Sequence, residues 1–504
     1  MQPTDLPTPQ ALPSTNTALA VDVRQHHPRG LVVLAATETW ERFSFYGMQA
    51  LLMLYMTTHL LRGATGDRVW GLLPLRRGLA SLLGPLSDQA FASQLFGLYA
   101  GLVYLTPIAG GVLGDRVLGG RRTVLTGAGL MALGHLLLAV ESCFLVALLL
   151  LVVGSGCLKG NIATQVGRLY APADQRRDQA YLLFNLGINI GAFAGPLVCG
   201  FLGENADWHL GFGCAGVGML VGMAVYAGGW RHLPTDAPHV RSHAPHHPSE
   251  RRNLAVLVAL IVLSGFYNIP VGQSFNVFPL WIDHAANRHL AGFEMPVAWY
   301  LASDGLITVA ATPLVLALWR RQARHSALPG AAARIGIGCA MLAAADALLA
   351  MFAHAWPGAH ALGPLAGFAY FLLASSAYLF VMPVLLAAVA QSAPPRLAAT
   401  TMGLAYAGLF VANVTAGWLA HFYEIWGPAP FWAGNAVIAA TGAVAATGLR
   451  KALTLTGAAM VQSGAAPSLS PAHPAPPHRQ GAPNPCASTG ASALPASPSP
   501  PPSC

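Results

Sequence analysis

The stretch LVVLAATETWERFSFYGMQALLMLYMTTHL (residues 31–60) decides the fold. It is apolar and long enough to cross a bilayer as one helix, for which about 20 residues suffice. Yet it carries Glu38, Glu41 and Arg42. An ionisable group at the centre of a membrane helix costs about 2.5–3.5 kcal/mol on insertion scales, so such residues face a partner or a water-filled cavity. Glu38 and Glu41 are i,i+3; Glu38 and Arg42, and Arg42 and Tyr46, are i,i+4. All four therefore share one helix face. A lone helix in lipid could not carry that stripe. It must belong to a bundle, with the stripe pointing inward.

The rest of the chain agrees. Of 504 residues, 54% are apolar and only 9% are charged, against about 25% charged in soluble domains. That deficit excludes a soluble enzyme and a disordered protein. Apolar segments at 31–60, 91–113, 122–142, 144–170, 178–203, 210–232, 254–282, 296–319, 332–354, 362–391, 398–422 and 428–449 predict twelve transmembrane helices. Continuous runs of this length speak against strands, because a barrel shows short alternating segments. The polar stretch LPTDAPHVRSHAPHHPSERR (233–252) divides the helices into two sets of six. The expected organisation is a tail at 1–30, a bundle at 31–232, a linker at 233–252, a bundle at 253–450 and a tail at 451–504. The last, rich in Pro, Ala and Ser, is expected to be disordered. Residues 1–30 show no apolar core of a signal peptide, so the first helix is expected to insert uncleaved.

The net charge of +8 is dispersed through short loops, which fits a basic membrane face and not nucleic acid. With the N-terminus inside, cytoplasmic loops and termini hold 20 of the 27 basic residues. Both termini are therefore expected in the cytoplasm of a plasma-membrane protein. Four of the five external exceptions, Arg62, Arg68, Arg76 and Arg77, crowd the loop 61–90, which is expected to be partly structured. Lys159 and Lys451 are the only lysines, and that arginine bias suggests a GC-rich bacterial genome. The seven cysteines contain no CxxC pair and read as small apolar fillers, so no metal site is expected.

Besides the first-helix stripe, Lys159, Asp304 and Asp346 fall inside membrane segments. Glu38 lies nine residues past Arg29, and Lys159 nine residues before Arg168. Each is thus about 13 Å from the cytoplasmic interface. Two acids and two bases at similar depth sum to zero formal charge. They form either a structural ion network or a proton-coupling site, in which a carboxylate exchanges its lysine partner for a proton.

The signature ExxERFxYYG of the proton-dependent oligopeptide transporters, a family of the major facilitator superfamily, resembles the first segment here. Glu38, Glu41, Arg42, Phe43, Tyr46 and Gly47 match it, with Phe45 at the first aromatic of the YY pair. YLTPIAGGVLGDRVLGGRRTVL (104–125) resembles the superfamily's loop motif between helices 2 and 3, with Asp115 and Arg116 at its core. GSGCLKGNIATQVGRLY (154–170) places Lys159 at the family's fourth-helix lysine. LFNLGINIGAF (183–193) places Asn189 at its fifth-helix asparagine, and FNVFPLW (275–281) and PVAWYLASDG (296–305) resemble helices 7 and 8. The resemblance covers about residues 31–450. It implies two six-helix bundles, alternating access and proton-driven import of di- and tripeptides. Glu38, Glu41, Arg42 and Lys159 would serve proton coupling, and Arg42, Tyr46, Lys159 and Asn189 substrate binding. Two positions depart from the pattern. Asn185 replaces a tyrosine, and Tyr378, five residues before Pro383, replaces a glutamate that meets the peptide's amino terminus.

The seventh segment, FYNIPVGQSFNVFPLW (266–281), carries Pro270 and Pro279, which predict a break or kink. Its polar Asn268, Gln273 and Asn276 are candidates to face a substrate, or else bond neighbouring helices. A zwitterionic peptide needs an acid as well as bases, and the second half holds only Asp304 and Asp346 within the membrane. Asp304, about 12 Å deep, is the expected amine anchor, with Tyr378 as its hydrogen-bond donor. Asp346 and His135 read as packed residues; Glu141 and Glu204, near external helix ends, need no buried partner. The leading function is a proton-coupled symporter of short peptides or related zwitterions. A drug exporter on the same scaffold is the alternative. A membrane enzyme stands third, because no HExxH, GxSxG or DxDxG-like set occurs near an interface. No cofactor is expected beyond the proton gradient; the partners are the substrate, protons and the lipid bilayer.

Overall fold

The computed structural model describes residues 26–63, 65–171, 174, 176–236, 250–290, 292–325, 329–392 and 398–462. Most of the expected tails at 1–30 and 451–504, and of the linker 233–252, lie outside the described residues, as do Arg24, Arg241, Arg396, Arg479, Cys486 and Cys504. The first half comprises α1 (Arg29–Tyr55), α2 (Leu72–Leu83), α3 (Asp88–Leu113), α4 (Gly120–Leu137), α5 (Phe144–Arg168), α6 (Arg176–Asn205) and α7 (Trp208–Gly228). The second half opens with α8 (Glu250–Val271) and α9 (Val277–Ala285), followed by the strands β1 (His289–Leu290) and β2 (Phe293–Glu294). It continues with α10 (Ala298–His325), α11 (Ala331–Ala355), α12 (Ala366–Ser392), α13 (Ala398–Leu419), α14 (Phe422–Trp426) and α15 (Pro428–Gln462). The folded unit considered below is Met1–Leu453; of a second unit, Thr454–Cys504, only the helical end of α15 is described.

Among the described residues, twelve helices are 18 residues or longer, α4 being the shortest. Ten spans qualify as membrane-crossing by length and hydropathy. The long helices α1 and α4 are not among them. α1 carries the charged stripe, and α4 opens on Arg121 and Arg122. The loop 61–90 contains α2, whose Arg76 pairs with Asp88 at 2.8 Å. The expectation of no strands needs a small correction. A two-residue hairpin pairs His289 with Glu294 and Leu290 with Phe293, and Gly292 takes φ +83° in its turn. The seventh predicted helix is broken where its prolines suggested. α8 ends at Val271, a 3-10 turn covers Gly272–Ser274, and α9 starts at Val277.

Burial divides into two hydrophobic cores. One runs from Leu31 to Leu233, and the other lies mainly between Leu257 and Ala446. In the first, α1 packs on α6 and α7, and α5 on α3 and α4. In the second, α11 and α10 pack on α12, and α8 on α11, α12 and α13. The halves meet along α3 with α13 and α6 with α10. Glycines permit the tightest approach: a side chain at Gly191 or Gly195 on α6 would collide with the α1 backbone around Thr39 and Phe43.

At one end of the unit, Gly119 (φ +78°) turns the chain into α4. The next residue, Gly120, donates its N–H to Asp236 at 2.9 Å. Arg168 stands 4.0 Å from Asp115 and 3.9 Å from Asp236, and Arg121 donates to the Pro234 carbonyl at 2.7 Å. The GDRVLGGRR element thus braces the end of α5 against the start of the linker. At the opposite end, Glu204 of α6 accepts from the backbone N–H groups of Val297 and Ala298 at 2.6 and 2.8 Å. Arg288 lies 3.9 Å from Glu204 and also holds Asp283 and Glu294 at 2.7 and 2.9 Å. Glu204 therefore has partners after all, and they belong to the other half of the chain.

Candidate functional site

α1 stays helical through its stripe because each charge finds a neighbour one turn away. Arg42 pairs with Glu38 at 3.2 Å and with Glu41. All three side chains are buried. Glu38 Oε2 and Glu41 Oε1 accept no hydrogen bond among the described residues.

Lys159 projects from α5 towards the same place but makes no ion pair among the described residues. Its ammonium lies 4.5 Å from the Phe45 ring centre and 5.6 Å from that of Tyr104. The Arg42 guanidinium lies 5.2 Å from the same Phe45 ring and 6.0 Å from Tyr46. One aromatic ring thus serves two cations. A ring face attracts each cation without neutralising it; Arg42 is in addition paired with Glu38 and Glu41. Lys159 is within electrostatic reach of Glu38, Glu41 and Arg42. Direct pairing falls instead to Arg42.

From the second half, Asp304 on α10 accepts a hydrogen bond from Ser375 Oγ of α12 at 2.5 Å. Ser375, not the expected Tyr378, is its donor. Tyr378 sits about one turn further along α12, 42% exposed and within electrostatic reach of Asp304. Tyr46 and Tyr104 likewise lie within electrostatic reach both of Arg42 in their own half and of Asp304 in the other.

Other expected members are placed differently. Gln273 is fully buried and donates to the Ala416 carbonyl at 2.9 Å. Asn276 is buried and donates to the Ser93 carbonyl of α3 at 3.3 Å. Asn268 bonds back to the Ser264 carbonyl at 2.8 Å. Gln273 and Asn276, at the helix break, thus donate to the backbone of neighbouring helices, as the second of the two expected readings has it. Asn189, partly exposed, bonds the Asn185 carbonyl one turn back at 2.8 Å. Asp346 is fully buried without a hydrogen-bond partner among the described residues, beside Tyr370. His135 is fully buried, as a packed residue would be. Sequence reasoning missed Tyr104, Ser375 and the Glu204–Arg288 contact. Tyr104 was visible only as the first letter of a motif, and Ser375 carried no signal at all. Arg288 was the lone basic residue of its half on the outside.

Three comparisons bear on this arrangement. A sequence model of the POT family matches residues 121–246. The peptide transporter YePEPT of Yersinia enterocolitica is 28% identical over 464 residues, covering 78% of this chain and 87% of that one. A di-/tripeptide transporter of Lactococcus lactis is 34% identical over 284 residues, covering 54% of this chain and 52% of its own. Among solved structures, a peptide transporter POT in complex with sulfate superposes with a TM-score of 0.72 at 25% identity, covering 84% of this chain and 95% of the other. The fold is that of the major facilitator superfamily in a multi-pass plasma-membrane protein, and these relatives are transporters. By these comparisons the chain is similar to the peptide transporters of the proton-dependent oligopeptide transporter (POT) family.

Proposed function

We propose that this protein is a proton-coupled symporter that imports di- and tripeptides, or related small zwitterions, by alternating access. Both termini lie in the cytoplasm, as the distribution of basic residues favours. The observation that carries the reading is that Arg42 and Lys159 share the Phe45 ring in one half while Tyr46 and Tyr104 beside them are within electrostatic reach of Asp304 in the other. A dipeptide presents a carboxylate and an ammonium about 5–7 Å apart. Arg42 and Lys159 receive the carboxylate, and Asp304, steadied by Ser375, receives the ammonium. Binding at both ends then draws the halves together around the ligand.

Coupling follows from charge balance in a dry site. Glu38 and Glu41 both lean on Arg42. A proton on either carboxylate loosens its hold on the guanidinium and frees it for the peptide. When the substrate leaves, the freed cation favours carboxylate ionisation, and the proton is released on the same side. The gradient is the energy source, and no cofactor takes part. The similarity to a peptide transporter and to a di-/tripeptide transporter supports the substrate class.

The test is uptake into proteoliposomes of a dipeptide, its acetylated analogue and a free amino acid, with and without an inward proton gradient. Gradient-driven accumulation of the free dipeptide is expected. Dye efflux without dipeptide accumulation would favour the exporter instead.

A further inference from the structure

Away from the transport site, three side chains converge at the end of the molecule that carries Glu204. His59 belongs to a π-turn (Met56–Leu60) that follows α1, Glu141 opens a 3-10 turn (Glu141–Cys143) before α5, and His209 is in the first turn of α7. The segments are remote in sequence, so no motif betrays the cluster. We propose that His59, Glu141 and His209 form a binding site for a borderline-soft divalent cation of the zinc class.

The donor set is the first argument. Each residue offers one ligand atom, and those atoms all lie within 4.8 Å of one another. His59 Nε2 is already 2.8 Å from Glu141 Oε1. Tetrahedral zinc, with bonds near 2.0–2.2 Å, requires ligand atoms about 3.3 Å apart. Modest side-chain rotation reaches that spacing. Two imidazoles with one carboxylate suit zinc better than calcium or magnesium, which take oxygen ligands, and three protein ligands leave one position for water.

The surroundings are the second argument. The Tyr55 ring is fully buried beneath the cluster, stacked on His59 at 5.4 Å and edge-on to His209 at 6.3 Å. That packing fixes both imidazoles before any ion arrives. The Tyr55 hydroxyl is buried and has no hydrogen-bond partner among the described residues, yet lies within electrostatic reach of Glu141 and Asp207. His209 Nδ1 is buried and likewise unpartnered among the described residues. The backbone N–H of His209 is held by Asp207 at 2.8 Å, which anchors the third ligand. The side chains of His59 and Glu141 are 38% and 30% exposed, so an ion has a way in.

All three ligands belong to the first half of the chain. A bound ion would therefore clamp the ends of α1, α5 and α7 together without joining the two halves. It would stabilise the first half and leave alternating access free.

The test uses full-length protein without a histidine tag, stripped with a chelator and titrated with zinc chloride, with magnesium chloride as control. Zinc retained per chain and the unfolding temperature are read together. Expected are about one retained zinc and a rise in unfolding temperature of several degrees with zinc but not magnesium. Both effects should vanish in His59→Gln and His209→Gln. They should persist when His243, His246 and His247 are replaced by glutamine. If an imidazole variant fails to fold, Glu141→Gln serves in its place and must weaken zinc binding at least about tenfold. Equal zinc retention by the wild type and the site variants would overturn the proposal, as would no retention by the wild type.

Discussion

Phe45 is the residue on which the proposed site turns. Its ring receives Arg42 from its own helix and Lys159 from α5. Each contact contributes about 0.5–2 kcal/mol when desolvated. Phe45→Leu should therefore lower proton-driven uptake while Phe45→Tyr preserves it; equal uptake by the two variants would show the ring to be mere packing. Lys159→Ala should abolish gradient-driven accumulation, because the ammonium is within electrostatic reach of Glu38 and Glu41 yet makes no ion pair among the described residues. Asp304→Asn should lose the preference for a free over an acetylated amino terminus, measured as competition against a labelled dipeptide. The stripe itself was legible in the sequence, since i,i+3 and i,i+4 spacing in an apolar run fixes a shared face. The partner of Lys159 was not. Charge counting sees acids and bases but no ring faces, and so it assigned the lysine to Glu38. Gln273 and Asn276 misled for a related reason: polarity in an apolar run demands a partner without saying which, and here backbone carbonyls on other helices supply it.

At the scale of elements, each apolar run begins within about four residues of the start of a long helix among the described residues, because a bilayer tolerates little else. Their ends were less legible. α10 continues to His325 and α15 to Gln462, past the predicted ends at 319 and 449. Polar helix beyond the bilayer leaves no trace in hydropathy. The close pairing of α1 with α6 was also hidden, although Gly187, Gly191 and Gly195 recur every fourth residue along α6. That stripe is the surface on which α1 lies, and it sets the position of Arg42. A Cβ at Gly191 would meet the Thr39 carbonyl and the Arg42 side chain, whereas nothing lies within 4 Å of one at Gly213 on α7. Gly191→Ala should therefore cost about 1–3 kcal/mol through overpacking. Gly213→Ala should be neutral or slightly stabilising. Unfolding temperatures in detergent measure both, and a Gly191→Ala protein as stable as the wild type would mean that α1 and α6 can separate freely.

For the whole molecule, the question is what joins the two halves at one end while the substrate space must open by turns to each side. Packing along α3 with α13 and α6 with α10 supplies shape, and hydrogen bonds such as Asn276 to Ser93 and Trp299 to Leu197 also cross between the halves. The charged contact among these is Glu204. Its carboxylate caps the first turn of α10 through Val297 and Ala298 and stands beside Arg288. An anion at a helix N-terminus is favoured by the aligned peptide dipoles, and hydrogen bonds to a charged acceptor are worth about 1.5–3 kcal/mol each. Arg288 keeps Asp283 and Glu294 if Glu204 changes, so the loss falls on the link between halves. Glu204→Gln retains one acceptor oxygen and removes the charge. A net loss near 1.4 kcal/mol changes the closed-to-open ratio at this end about tenfold. Spin labels at Ala206 and Leu290, in a chain whose own cysteines are replaced by alanine, flank that contact from either half. In Glu204→Gln their distance distribution should gain a longer component. In Asp283→Asn, which leaves Glu204 and its backbone donors intact, the distribution should stay as in the parent. Identical distributions in Glu204→Gln and the parent would assign closure at this end to helix packing and the remaining hydrogen bonds between the halves.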